Sequence, residues 1–228
     1  MRLILLGPPG AGKGTLAKLL KETLNVVHIS TGDILREEMN NNTPLGRDIK
    51  KLVEQGALVP DEIVTKIIEN KLKVHQHSEK GFMLDGFPRT KIQAEELDKI
   101  LTPIGYPIDY ALYMESTLPV IIQRLTGRRV CKECGALFHI TNKPPQRYGI
   151  CDVCNGPLYQ RPDDNEETIK TRMSVYLKNI SPIIQYYEAR GKLKRINADR
   201  DSLVVKEELM KIFDEERRRH KNKNAGGA

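Results

Sequence analysis

Short apolar runs alternate with helical patterns along most of the chain. Residues 3–6 (Leu-Ile-Leu-Leu) form a continuous apolar run that predicts a buried strand. A glycine-rich turn follows, and the spacing from about residue 15 to residue 24 predicts an amphipathic helix. Val26-Val27-His28-Ile29 predicts a second strand. Phe82-Met83-Leu84 and Ala111-Leu112-Tyr113-Met114 predict two more, each ending near a polar or charged residue. Residues 193–197 are a weaker fifth candidate, and helical stretches cover 61–74, 118–125, 166–190 and 202–219. Strand–helix alternation predicts an α/β fold with a mostly parallel sheet covered by helices on both faces. Ligands in such sheets sit beyond the carboxyl ends of the strands.

Two stretches interrupt the alternation. Residues 30–59 hold short helical segments, and residues 127–164 hold all four cysteines and four of the thirteen prolines. Both read as insertions on a core made of residues 1–29, 60–126 and 165–214, with a basic tail at 215–228.

At roughly 150 residues per domain, 228 residues suit one core domain with insertions. A composition of 39% hydrophobic and 29% charged residues is that of a globular chain. No apolar run approaches the ~20 residues of a membrane span. The run at 3–6 stops at Gly7-Pro8-Pro9, too short for a signal peptide. A cytoplasmic protein without membrane contact is expected. The net charge of +7 and pI near 9.2 point to anionic partners: nucleic acid, anionic lipid or phosphorylated small molecules. Part of the excess lies in the tail, where Arg217, Arg218, Arg219, Lys221 and Lys223 outweigh Glu215 and Glu216 (five minus two, +3). That tail reads as a solvated helix end fraying into disorder.

The strongest local signal is Gly7-Pro8-Pro9-Gly10-Ala11-Gly12-Lys13-Gly14-Thr15, after a predicted strand and opening a predicted helix. That is the context of a phosphate-binding loop, which makes the core a P-loop NTPase-type sheet. Glycines let consecutive N–H groups point inward around a polyphosphate, and the helix N-terminus adds its positive end. Lys13 can then reach the β- and γ-phosphates. The alternative is a glycine-rich turn without a ligand. Gly14 stands where the general pattern has a hydroxyl, which comes one residue later at Thr15 and so argues against a direct Mg²⁺ bond there. Asp85 closes a predicted strand as a Walker-B-type acid that could hold Mg²⁺ through water; the alternative is a strand-end cap.

The variant Gly-x-Pro-Gly-x-Gly-Lys-Gly-Thr resembles the loop of adenylate kinases within the nucleoside-monophosphate kinase family. Ser30-Thr31-Gly32-Asp33 with Arg36, Asp85-Gly86-Phe87-Pro88-Arg89, Thr126-Gly127-Arg128-Arg129, and Arg161-Pro162-Asp163-Asp164 with Arg172 resemble its later motifs, in order, over about residues 1–214. The resemblance implies reversible transfer of the terminal phosphoryl group of MgATP to AMP, giving two ADP. It implies that residues 30–59 close over AMP and residues 127–164 close over ATP. It assigns the triphosphate to Gly10, Ala11, Gly12, Lys13, Gly14 and Thr15, with Arg124, Arg128, Leu137, Phe138 and, more weakly, Arg200. It assigns the monophosphate to Thr31, Arg36 and Arg89, with Gly86, backbone at Ala57, Leu58 and Val59, and Gln93 reading the base. Arg128, Arg161 and Arg172 grip the phosphates, and Asp163 and Asp164 position those arginines or the metal's water shell. A relative preferring UMP or CMP is the alternative within the family, with Thr31 and Gln93 as the discriminating residues.

Elementary chemistry supports such a set. Seven cations follow or flank motif residues: Lys13, Arg36, Arg89, Arg124, Arg128, Arg161 and Arg172. Phosphoryl transfer spreads charge over several oxygens, so catalysis is mainly positioning and electrostatic stabilisation. A monophosphate acceptor is already anionic and needs no general base. Accordingly His28, His75, His77, His139 and His220 lie outside any recognisable catalytic motif and read as structural or surface residues.

Cys131-x2-Cys134-x16-Cys151-x2-Cys154 reads as a four-thiolate zinc site, with disulfides the alternative. Four protein ligands leave no open position, so the metal is expected to be structural. The stretch resembles the zinc-containing lid of some bacterial adenylate kinases. A nucleic-acid-binding module would need base-stacking aromatics, yet the chain has no Trp, four Phe and eight Tyr. A monomer whose partners are ATP, AMP and ADP is expected.

Overall fold

Alternation of side-chain direction along each strand decides which helices cover which face. A computed structural model describes residues 1–41, 43–73 and 80–225, leaving aside the side chains of 217 and 219–225. The first half runs β1 (Arg2–Leu6), α1 (Lys13–Leu24), β2 (Val27–Ser30), α2 (Thr31–Asn40), α3 (Pro44–Glu54), α4 (Asp61–Leu72), β3 (Phe82–Asp85) and α5 (Lys91–Leu101). The second half runs β4 (Tyr110–Glu115), α6 (Leu118–Thr126), β5 (Arg128–Cys131), β6 (Leu137–His139), β7 (Leu158–Tyr159), α7 (Glu166–Glu188), β8 (Leu193–Asn197) and α8 (Ser202–Ala225). Five strands pair in parallel in the order β2-β3-β1-β4-β8, and β6-β5-β7 form a separate antiparallel sheet.

Successive side chains on a strand point to opposite faces. Leu3 and Leu5 pack with Leu16, Ala17 and Leu20 of α1 and with Val205, Leu209 and Phe213 of α8. Ile4 and Leu6 share the other cluster with Ile68 and Leu72 of α4, Leu97 of α5, and Ile183 and Tyr187 of α7. A strand buried on both faces must be apolar throughout, which is why 3–6 is an unbroken run. Each such aliphatic side chain contributes about 1.5–3 kcal/mol on burial.

Local signals start the helices beside the site. The Ser30 hydroxyl accepts from Asp33 N at 3.2 Å and opens α2 directly after β2; Thr90 does the same for α5, and Asn165 for α7. Three elements differ from expectation. Helix α5 falls outside the expected helical stretches, although Ala94, Leu97 and Leu101 stand at helical spacing and are all buried. Helix α8 runs on to Ala225, six residues past the Arg219 at which the expected helix ends. The first turn of the tail is tied down, since Glu216 accepts from Tyr110 Oη at 2.8 Å and Lys194 Nζ at 2.7 Å. Helix α4 ends at Leu72, and Val74 lies outside the described residues. Among the described residues no helix is long and apolar enough to cross a membrane.

Candidate active site

The loop between β1 and α1 turns through conformations that favour glycine. Gly7, Gly10 and Gly12 have φ of 146°, 80° and 89°. A Cβ on Gly7 would also fall 2.6 Å from the carbonyl oxygen of Met114, so β4 and the loop pack too closely for any side chain. Lys13 folds back over the loop and donates to the carbonyls of Gly7 at 2.9 Å and Pro8 at 2.8 Å. Burial pulls its ammonium down to about 8; Asp85 opposes that shift, and Arg89, Arg172 and Arg128 reinforce it. A Cβ at Gly14 would stand 3.6 Å from Asp85 Oδ2. The Asp85 carboxylate thus stands against the start of α1 on the wall of the cleft described below, where it could accept from the water shell of Mg²⁺.

All seven cations line one cleft of about 900 Å³ at the carboxyl ends of the strands. Their counter-charges are few. Arg128 donates to buried Asp164 through Nε at 2.7 Å and Nη2 at 2.5 Å. Arg172 donates to Asp163 at 2.8 Å, and Arg36 pairs with Asp33. Arg124 donates to the carbonyl of Ala198 at 2.9 Å, and Arg89 to that of Gly86 at 2.9 Å; a carbonyl carries no full counter-charge. Arg161 has a buried Nε with no hydrogen-bond partner. Burial, followed by Arg172 for Arg89 and by Arg128 and Arg36 for Arg161, pulls both guanidiniums down to about 10. Arg172 is also lowered, first by burial. Desolvated like charges held together create a strong demand for an anion.

The remaining expected residues divide between the cleft and its surroundings. Gly10, Ala11, Gly12, Gly14, Thr15, Asp85, Gly86, Leu137, Phe138 and Arg200 line the cleft. Thr31, Ala57, Leu58, Val59 and Gln93 do not. Leu58 lines a smaller adjoining cavity of about 110 Å³ that shares Lys13, Gly86, Arg89 and Arg172 with the cleft. Thr31 and Gln93 are each 1% exposed, and the Thr31 hydroxyl is buried without a partner. Gln93 accepts from Arg89 N at 2.7 Å, which joins it to the arginine beside Gly86.

Several wall residues escaped the sequence reading. Lys18, Asn142, Lys143 and Asp201 line the cleft, and Lys143 Nζ stands 5.7 Å from the centre of the Phe138 ring. None belongs to a motif, so no local signal marked them. His139 also lines the cleft, and its Nε2 lies 3.1 Å from the carbonyl of Gln123 at the end of α6. His28 Nε2 lies 3.5 Å from Asp85 Oδ2. His75 and His77, and the side chain of His220, lie outside the described residues.

The four cysteines come together across the small antiparallel sheet. Their sulfurs all lie within 4.8 Å of one another, with Cys131 to Cys154 at 3.4 Å and Cys134 to Cys151 at 3.6 Å. Tetrahedral Zn²⁺ with bonds of ~2.3 Å needs sulfurs ~3.8 Å apart, so the set fits that metal. No disulfide joins them; all four are free thiols.

Comparisons with known proteins agree with this geometry. The family model described as adenylate kinase matches residues 5–192. An adenylate kinase of Caldicellulosiruptor bescii is 53% identical over 193 residues, covering 85% of this chain and 89% of the relative. Adenylate kinases of Caldicellulosiruptor saccharolyticus and Desulforamulus reducens are 48% and 47% identical, each over at least 92% of this chain and 98% of their own length. With a phosphate-binding loop facing a cation-lined cleft and relatives matching nearly end to end, this chain belongs to the adenylate kinase family.

Proposed function

We propose that the residues of this cleft divide the family reaction between a donor side and an acceptor side. The reaction is the reversible transfer of the terminal phosphoryl group from ATP to AMP, giving two ADP. The observation that carries the division is the clustering of seven cations around one cleft with too few carboxylates to neutralise them. Residues 1–29, 60–126 and 165–214 form the core in this reading, 30–59 close over AMP and 127–164 over ATP.

Gly10 to Thr15 cradle the donor phosphates with backbone N–H groups, and Lys13 exchanges its two carbonyl partners for β- and γ-oxygens. Arg124, Leu137, Phe138 and Arg200 hold the rest of the nucleotide. Thr31, Arg36, Gly86 and Arg89 take the acceptor phosphate, backbone at Ala57 to Val59 lines its nucleoside, and Gln93 reads its base. Arg128, Arg161 and Arg172 stand where both phosphate chains meet and stabilise charge on the transferring group. Closure of the two insertions aligns donor with acceptor and keeps water, a competing nucleophile, out. Adenylate kinases use Mg²⁺ with ATP, and here Asp85 would hold the water shell of that ion, which neutralises phosphate charge when bound. Zn²⁺ on Cys131, Cys134, Cys151 and Cys154 would fasten 127–164 without touching substrate. Free thiols at those positions suit a reducing cytoplasm, and the enzyme acts there as a monomer without nucleic-acid partners.

A coupled assay of ADP formation across ATP, GTP, AMP, CMP, GMP and UMP tests the substrate reading; equal turnover of every monophosphate would overturn it. Lys13→Met is expected to lower kcat by ~10²–10³ with the fold retained, and Arg89→Ala to weaken AMP while leaving ATP affinity in place. Calorimetric titration showing equal loss for both nucleotides would overturn the acceptor-side assignment.

A further inference from the structure

The residue given the base-reading role above is held in a single orientation by a carboxylate that no motif contains. Gln93 is 1% exposed, its Nε2 donates to Asp61 Oδ1 at 2.7 Å, and its Oε1 accepts from Arg89 N at 2.7 Å. These partners settle which end is nitrogen, because an ionised carboxylate only accepts and a backbone N–H only donates. Turned by 180°, the amide would set oxygen against carboxylate and NH2 against N–H, leaving buried polar groups unpaired. Asp61 is held in turn. Its Oδ2 accepts from Thr90 Oγ1 at 2.8 Å, and Thr90 Oγ1 accepts from Gln93 N at 3.2 Å. Helix α4, which Asp61 opens, is thereby joined to the first turn of α5 by a closed ring of hydrogen bonds.

A primary amide has two N–H donors and two acceptor positions on its oxygen. One of each is occupied, so one donor and one acceptor remain, in an order that Asp61 dictates. The pairing edge of adenine sets an N6 donor beside an N1 acceptor, whereas guanine sets an O6 acceptor beside an N1 donor. The two purines have the same ring frame and opposite polarity at this edge. An amide free to turn would accommodate either, and one held from behind accommodates a single polarity.

We propose that Asp61 is a specificity-determining positioning residue, which orients the Gln93 amide so that the acceptor site takes a 6-amino purine monophosphate and rejects a 6-oxo one. The proposal rests on Gln93 reading the base. A site built to hydrogen-bond its substrate discriminates strongly because the wrong partner leaves buried groups unpaired.

The test compares kcat/KM for AMP and GMP in the full-length parent, Gln93→Leu, Asp61→Ala and Asp61→Asn, each with a melting curve. Asp61→Ala is expected to lower the AMP-to-GMP ratio by about tenfold or more. That loss should come chiefly through a higher KM for AMP, with KM for ATP changed by less than about twofold. Asp61→Asn keeps an acceptor oxygen for Gln93 Nε2 and should restore the ratio to within about threefold of the parent. A role confined to stability would lower activity on both acceptors together and leave their ratio alone, which would overturn the proposal. Loss of the ratio in Gln93→Leu but not in Asp61→Ala would also overturn it while sparing the base-reading role. An unchanged ratio in Gln93→Leu would remove the base-reading role and this proposal with it. Should Asp61→Ala melt below the assay temperature, Asp61→Ser, whose hydroxyl is too short to span the gap, is read in its place.

Discussion

Removing Asp164 would expose how much the cation cluster depends on one buried carboxylate. Asp164 is 0% exposed and Arg128 19%, and two hydrogen bonds of 2.7 and 2.5 Å join them, with Arg172 Nη1 3.7 Å away. Truncation to Ala leaves a mostly buried guanidinium facing other cations. Breaking such a pair costs about 3–5 kcal/mol, and Arg128's residual contact with water favours the lower end. For a chain of this length each kcal/mol moves Tm by about 2–4 °C, so Asp164→Ala is expected to melt about 6–12 °C below the parent. A polyphosphate in the cleft supplies the missing negative charge. Saturating tripolyphosphate, which lacks any base or sugar, should therefore stabilise Asp164→Ala more than the parent and narrow the gap. Differential scanning calorimetry of both proteins, with and without tripolyphosphate, measures all four values. A drop below about 2 °C, or a gap unchanged by tripolyphosphate, would show that the pair carries little of the cluster's charge balance.

Three further outcomes are expected. Lys13 has a folded pKa of about 8 against 10.5 when exposed, so the unfolded chain holds the extra proton between those values and the apo protein gains stability as pH rises through that window. A bound polyphosphate raises that pKa, so ATP binding at pH 9 should take up a proton and weaken as pH climbs; titration in two buffers of different ionisation enthalpy that detects no uptake would refute it. Stripping Zn²⁺ with a strong chelator should lower Tm while Mg²⁺-dependent turnover well below the melt survives, and prompt loss of activity in folded, zinc-free enzyme would deny the metal a purely structural role. Gly127→Ala places a Cβ 2.2 Å from His139 Nε2 at an ordinary φ of −82°. The ring must leave its seat over the end of α6, and Tm should fall. The same change in a His139→Ala background should cost much less, and strict additivity of the two losses would refute the contact.

Local spacing was enough to determine part of this protein. Glycines at 7, 10 and 12 before Lys13 specify a phosphate loop because each answers a local backbone need, and the residues around them are neighbours in the chain. The apolar runs 3–6 and 82–84 specify strands buried on both faces, and two Cys-x2-Cys pairs specify a four-sulfur cluster because thiolates at that spacing can share one metal ion. The motif arginines were legible as candidates one by one. Their partnerships were not, beyond the resemblance that set Asp163 and Asp164 beside the phosphate-gripping arginines. Arg128 meets Asp164 36 residues away, Arg124 meets Ala198 74 away, and Gln93 meets Asp61 32 away. Such pairs are set by strand order and by where helices cross, neither of which leaves a periodicity in the sequence. Helix α5 leaves little trace in the sequence for a related reason: its apolar stripe is narrow, and burial against α4 and α7 gives that stripe its meaning. The helical tail follows the same rule, since Glu216 is tied down by Tyr110 and Lys194 on two strands that only the folded sheet brings together. The chain's local chemistry thus names the ligand class, and tertiary packing decides which charges stay uncompensated to receive it.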